Sequence, residues 1–467
     1  MKTSQDLGIR PIGNLLTKMA VPASIGILVM SIYFIVDTIF VGRFVGTLGI
    51  AAITVVMPIM FLISSMGMAI GVGGSSVISR ALGGDNYKHA GAVFGNMISL
   101  TLAFALLLVG LGTFFMDEVL NLFGAKGAIL EPARVYFKIV LLGVPFLAWA
   151  MMTNNIMRAE GAPKMAMLVM LIPAVANIIL DPILIIYFDW GLAGAAWATT
   201  ISYFGSAGFS IWFFFFSGRS ELPLSLNALK WRFSILKEIS AIGSVTLARQ
   251  GTISLLTIVL NHSLFQYGNE LAVAIFGIIN RISMFANFPV LGITQGFLPI
   301  AGYNYGAKNW ARVRQTLRIS IRTGTLIALG IFTLILLFSK SFIALFTTDP
   351  ALLEPTPKAL ILVFMATPLI VVQLIGSAYF QAVGKALPAL LLTMSKQGFF
   401  LIPLVLILPS FYGLNGIWYS FPIADVLAAS VTYWYLQREI RKNLPLEDYT
   451  EIPESLEASA LSANEVN

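Results

Sequence analysis

Residues 217–233 read SGRSELPLSLNALKWRF, and the fold turns on that stretch, because it is the only long polar segment inside an otherwise apolar chain. Six apolar runs lie before it, at about 14–42, 48–78, 90–116, 131–157, 164–188 and 192–217. Six follow, at about 235–267, 271–301, 313–338, 357–382, 386–410 and 414–437. Each exceeds the ~20 residues that cross a hydrocarbon core as a helix, and none shows the ~10-residue alternation of a membrane barrel strand. Of 467 residues, 58% are hydrophobic and 11% charged. A soluble domain has about 45–50% and about 25%. The mean hydropathy of +0.86 agrees. A soluble enzyme, a coiled coil and a disordered chain are excluded, and an all-α polytopic membrane protein is expected, with twelve transmembrane helices in two six-helix lobes. Its parts would be an N-lobe at 1–217, a cytoplasmic linker at 218–234, a C-lobe at 235–440 and an acidic, disordered cytoplasmic tail at 441–467.

Lysine and arginine set the expected orientation. With the N-terminus inside, twenty basic residues fall on inner segments and six on outer ones, while Arg249, Arg281 and Lys396 lie within spans. Both termini and the linker are therefore expected in the cytoplasm. The bias also accounts for the net charge of +7 without nucleic acid. The polar start of the chain does not read as a cleaved signal peptide. With no cysteine, thiolate chemistry and disulfides are excluded, and His89 and His262 are too few and too far apart for a histidine metal site. HExxH, Walker A and GxSxG motifs are absent, so no enzyme is expected. The glycine-rich GVGGSSVISRALGGD (71–85) begins inside a span and reads as a helix packed closely on a neighbour.

The halves resemble one another. LLTKMAVPASI (15–25) aligns with ILKEISAIGSV (235–245), IMRAEGAPKMAMLVM (156–170) with YFQAVGKALPALLLT (379–393), IILDPILII (178–186) with FLIPLVLIL (400–408), and GLAGAAWATTIS (191–202) with GLNGIWYSFPIA (413–424). Six spans per half make this a parallel repeat, a transporter signature whose substrate site lies near mid-membrane between the halves.

Three acids lie deep in spans: Asp37, Asp181 and Asp425. An ionised Asp at a helix centre costs about 2.5–3.5 kcal/mol, so such a group is functional or paired. Tyr33 lies one turn before Asp37, and Asn177 one turn before Asp181. Pro182 removes a backbone donor beside Asp181, and Thr199 sits on the next span. In these alignments the second-half counterparts of Asp37, Asp181 and Thr199 are Thr257, Ile402 and Phe421, so the polar cluster exists in one half only. That asymmetry argues for a cation or proton site at Asp37, Asn177, Asp181 and Thr199; carboxylates that merely tie helices together are the alternative. The oxygen donors suit sodium or a proton relay equally. Asp425 is expected to pair with Arg249, Arg281 or Lys396. Asn154 could face the cavity or bridge helices, and Met170 shares a face with Asn177 and could adapt to varied ligands.

Taken together, TKMAVPASIG, IYFIVDTIFVG, SRALGGDNYKHAG, NNIMRAEG, ANIILDPILI and GLAGAAWAT, set in two six-span halves, resemble the multidrug and toxic compound extrusion (MATE) family over nearly the whole chain. The resemblance implies a secondary antiporter of the bacterial or archaeal cell membrane (the inner membrane in a Gram-negative cell). It would export organic, often cationic or amphipathic, compounds against H+ or Na+, as a monomer in lipid, with no other cofactor. It assigns the ion site to Asp37, Asn177, Asp181 and Thr199, and bending to Pro22; from their own positions, Tyr33, Asn154 and Met170 are expected to contact substrate and Pro182 to bend its helix. The NorM-like branch carries an acid on its seventh helix; here TLARQGTISLL (246–256) has none, which places the chain nearer DinF-like and MepA-like members. A lipid or glycolipid flippase with related lobes is the alternative.

Overall fold

The computed structural model of the chain describes residues 3–223 and 225–444. The tail beyond residue 444, expected to be disordered, lies outside the described residues. The main helices are α1 (Ile12–Phe44), α2 (Thr47–Gly83), α3 (Tyr87–Phe114), α4 (Leu130–Ala159), α5 (Pro163–Asp181) and α6 (Gly191–Ile211), then α7 (Phe233–Gly306), α8 (Trp310–Ala344), α9 (Thr356–Phe364), α10 (Thr367–Ala382), α11 (Ala386–Met394) and α12 (Leu414–Asn443). Helices α5, α6 and α11 run on through wider turns at Pro182–Tyr187, Trp212–Phe216 and Ser395–Leu401. Among the described residues, eight helices are long and apolar enough to cross a membrane, or nine with a bent pair counted as one. The 74 residues of α7 are far too long for one crossing, and Asn269 (φ 58°, ψ −161°) breaks the helix into two arms.

Left-handed backbone positions recur at a fixed spacing. Gly46 and Asn269, Asp85 and Lys308, and Gly161 and Gly384 are each 223 residues apart, and Gly191 and Gly413 are 222 apart. Helix caps recur too: the Asn86 side chain accepts from the His89 N–H at the start of α3, as Asn309 accepts from the Arg312 N–H at the start of α8. The turns that stop and restart the helices are thus the same device used twice.

Among the described residues, the core that the two lobes share lies at one end. One apolar core there combines N-lobe side chains such as Leu16, Val77 and Ile156 with C-lobe ones such as Ile239, Phe297 and Val371. At the other end the N-lobe has its own core, around Val56, Phe137 and Val144, and the C-lobe another, around Leu260, Ile279 and Trp418. At the fused end backbones touch backbones. A Cβ on Gly83 would lie 1.9 Å from the Tyr303 carbonyl oxygen, and one on Gly306 2.0 Å from that of Arg80. Since Arg80 and Tyr303 are themselves 223 residues apart, these contacts are a symmetric pair. Polar ties add to the seal: Ser76 Oγ donates to the Gln381 carbonyl at 2.6 Å, and Arg80 pairs with Glu238 at 2.9 Å. The result is a cleft between the lobes, closed at the end that carries the interlobe linker.

The linker is docked onto the N-lobe. Glu160, just past α4, accepts from the Ser220 hydroxyl at 2.8 Å and the Glu221 N–H at 2.7 Å. Its Oε2 is buried with no partner, and burial pushes its carboxyl up to about 8 from the usual 4.5. The folded-state value lies above the ordinary one, so the stability this group contributes is present in full below about 4.5 and is lost as pH rises through about 8. Raising pH through that window should loosen the linker, and Glu160→Gln, neutral throughout, should remove the response. An environment-sensitive fluorophore on Ser225→Cys reads it; the same pH dependence in parent and variant would show that Glu160 does not hold the linker.

Candidate functional site

Helices α1, α4, α5 and α6 pack around the N-lobe acids. Asp37 comes from α1, Asn177 and Asp181 from α5, and Thr199 from α6, and all four are buried, Asn177 and Asp181 completely. Pro182 has no N–H to offer the Ile178 carbonyl, and the chain answers by widening into the turn that follows Asp181. Asn177 then bridges its neighbours. Its amide group lies 2.8 Å from Asp181 Oδ2 and 3.3 Å from Thr199 Oγ1, within hydrogen-bonding distance of both. The Asp37 and Asp181 carboxyls lie within hydrogen-bonding reach of each other, and one oxygen of each is buried with no partner. Two carboxylates so placed repel unless a proton or cation sits between them.

Three tyrosines close the cluster. Tyr33 and Tyr136 lie near Thr199, and Tyr203 near Tyr33. Tyr136 and Tyr203 escape a sequence reading. Tyr203 carried a signal, since it lies one turn beyond Thr199 on the same face; Tyr136, in EPARVYFK (131–138), carried none.

The other expected residues lie elsewhere. Asn154 is not at the cluster; its amide donates to the Ala166 carbonyl and ties α4 to α5, so the bridging alternative describes its placement. The Met170 sulfur meets Arg158 at 3.6 Å and packs against Gly26 of α1. Pro22 is buried within α1. Asp425 is paired with Lys396 at 2.8 Å, while Arg249 and Arg281 make no ion pair among the described residues.

The repeat needs correction of register at two positions. The 223-residue spacing places Leu260, not Thr257, opposite Asp37, and the spacing of 222 to 223 residues places Pro403 or Leu404, not Ile402, opposite Asp181. Leu260 and Phe421, the counterpart of Thr199, both belong to the C-lobe's apolar core, whereas Thr257 is exposed. The asymmetry between the lobes is therefore sharper than the sequence alignment made it.

A two-lobed, multi-pass helical membrane protein with a buried acid pair in one lobe is the architecture of a transporter rather than an enzyme. The MatE family model matches the chain twice, over residues 22–183 and 247–407, once in each lobe, and the chain belongs to that family. Over 419 residues it is 29% identical to the multidrug export protein MepA of Staphylococcus aureus strain NCTC 8325, covering 90% of this chain and 92% of that one. It superposes on a crystal structure of a MATE protein in the bent conformation with a TM-score of 0.89 at 26% identity, covering 99% of both chains. A MATE-family multidrug resistance transporter in its outward-facing conformation gives 0.86 at 27% identity, covering 94% of this chain and 98% of that one.

Proposed function

We propose that the chain is a secondary active exporter of small organic compounds, driven by proton entry at the Asp37–Asp181 pair and working by alternating access. The observation that carries this reading is the pair itself: two buried carboxyls in reach of one another in one lobe of a repeated scaffold, with an apolar counterpart in the other. An architectural feature would be expected twice. The relatedness to a multidrug export protein supports export and favours it over a lipid or glycolipid flippase. Two buried carboxyls within reach of one another can share a single proton, which suits a proton at this pair. Of the two substrate characters expected, cationic and amphipathic, the cleft supports the amphipathic one. Twelve crossings follow if α7 supplies two and α6 and α12 one each, and the protein would act as a monomer in lipid.

Dye efflux from proteoliposomes under separately imposed gradients tests the coupling. A pH gradient should drive export and a sodium gradient should not. Drive by sodium alone would replace the proton, and drive by neither would end the antiporter reading. The orientation has its own test, because the chain has no native cysteine. Lys308→Cys should resist an impermeant reagent added outside intact cells; labelling from outside would invert the topology.

A further inference from the structure

Below the cleft, the faces that the lobes turn to each other are fixed by contact. A Cβ on Gly292 of α7 would meet Ser24 and Ala20 of α1, and one on Gly243 of α7 would meet Ala69 of α2. Residues seven or eleven positions along a helix return to the same face within about 20°. Eleven residues from Gly292, toward the Asn269 break, is Arg281. Seven and eleven residues beyond Gly243 are Gln250 and Ser254. All three are exposed, as is Thr257 one turn farther. The same step on the N-lobe reaches Ile35 from Ser24 and Leu62 from Ala69, exposed at 43% and 51%. The lobes have separated at this level, so these residues line the cleft: exposed Ile35 and Leu62 on one wall, and exposed Gln250, Ser254, Thr257 and Arg281 on the other, with half-buried Phe285 seven residues from Gly292.

The charges are distributed against expectation for a cation site. Among the described residues no carboxylate lies on these faces. Asp37, Asp181 and Asp425 are buried, and the remaining acids sit near helix ends or in loops. Arg281 has no ion-pair partner there. An arginine at this depth is expensive unless it faces water or a counter-charge, and its planar fork matches a carboxylate or phosphate through two parallel hydrogen bonds.

We infer that the cleft selects compounds carrying an anionic group beside an apolar body, zwitterions included, with the anion seated at Arg281 and the apolar body against Ile35 and Leu62. This rests on the reading of the cleft as the export path. Rhodamine 110, a carboxylate, and rhodamine 123, its methyl ester, share one aromatic body and test it. Equilibrium binding of each dye to the purified full chain is measured by fluorescence anisotropy, and gradient-driven efflux of each from proteoliposomes is measured separately. The parent should bind the carboxylate about tenfold more tightly than the ester, as one charge-assisted contact allows. Arg281→Gln should erase that ratio and leave the ester unaffected, and Arg281→Lys should restore part of it. Equal binding of the two dyes by the parent, or a ratio unchanged in Arg281→Gln, overturns the inference. A ratio that depends on Arg281 in a protein that exports neither dye would uphold the inference while ending the export reading.

Discussion

Asp37→Asn should abolish proton-driven export, lowering the initial rate about a hundredfold or more, because a site that takes up no proton cannot bias one conformation over another. Asn keeps the shape of the side chain and cannot change charge, so membrane abundance should match the parent. Asp181→Asn should do the same. Since the two carboxyls are in reach of each other and Asn177 ties Asp181 to Thr199, the acids form one site, and the double variant should lose little more than either single one. Changes in the other lobe, Leu260→Ala at the true counterpart and Thr257→Ala one turn away, should leave proton coupling nearly intact. Efflux under an imposed pH gradient measures all five. Fully additive losses would mean two separate sites, and export by Asp37→Asn equal to the parent's would make the acid structural.

Gly306→Ala should break the seal between the lobes. The added methyl carbon would sit 2.0 Å from the Arg80 carbonyl oxygen, a backbone atom that cannot swing aside. Overpacking of this kind costs about 1–3 kcal/mol, which moves a two-state equilibrium by about 5- to 150-fold. Gly83→Ala, on the symmetric contact, should act alike, while Gly277→Ala, where the new atom meets nothing within 4 Å, should be silent. The readout is Ser76→Cys labelled by an impermeant maleimide in inside-out vesicles, since Ser76 is buried against Gln381. Faster labelling in Gly306→Ala and Gly83→Ala is expected; rates equal to the parent's in both would show that the lobes have slack at this contact.

Much of the architecture was legible in the chain because membrane insertion demands long apolar helices, and charge within them stands out. Asp37 and Asp181 could be found for that reason, and Asn177 and Thr199 by their helical spacing. The paired sequence segments revealed a repeat but placed Asp37 against Thr257. That error is three residues, close to one helical turn, and an apolar helix matched against another looks nearly the same after such a slip. The left-handed residues at the turns have no such ambiguity, and they restore Leu260. Tyr136 reaches the acids only through the packing of α4 against α6, which no local pattern records. Arg281 was visible as a charge within a span, yet its exposure to the cleft depends on which face of α7 carries Gly292. Asn154 had two readings open to it, and the choice between them lay in the approach of α5.

The single shared core at the closed end has an electrical consequence. In the proposed exporter, water filling the cleft would carry the potential of the open side down toward the level of Asp37, and the transmembrane voltage would fall mainly across the fused segment below. A proton reaching the acid pair in this conformation would cross little of the field. Nearly all of the ~2.3 kcal/mol that 100 mV confers on one elementary charge is then realised in the step that exposes the acids to the other side. Membrane voltage should therefore act on the conformational change and leave proton binding almost untouched.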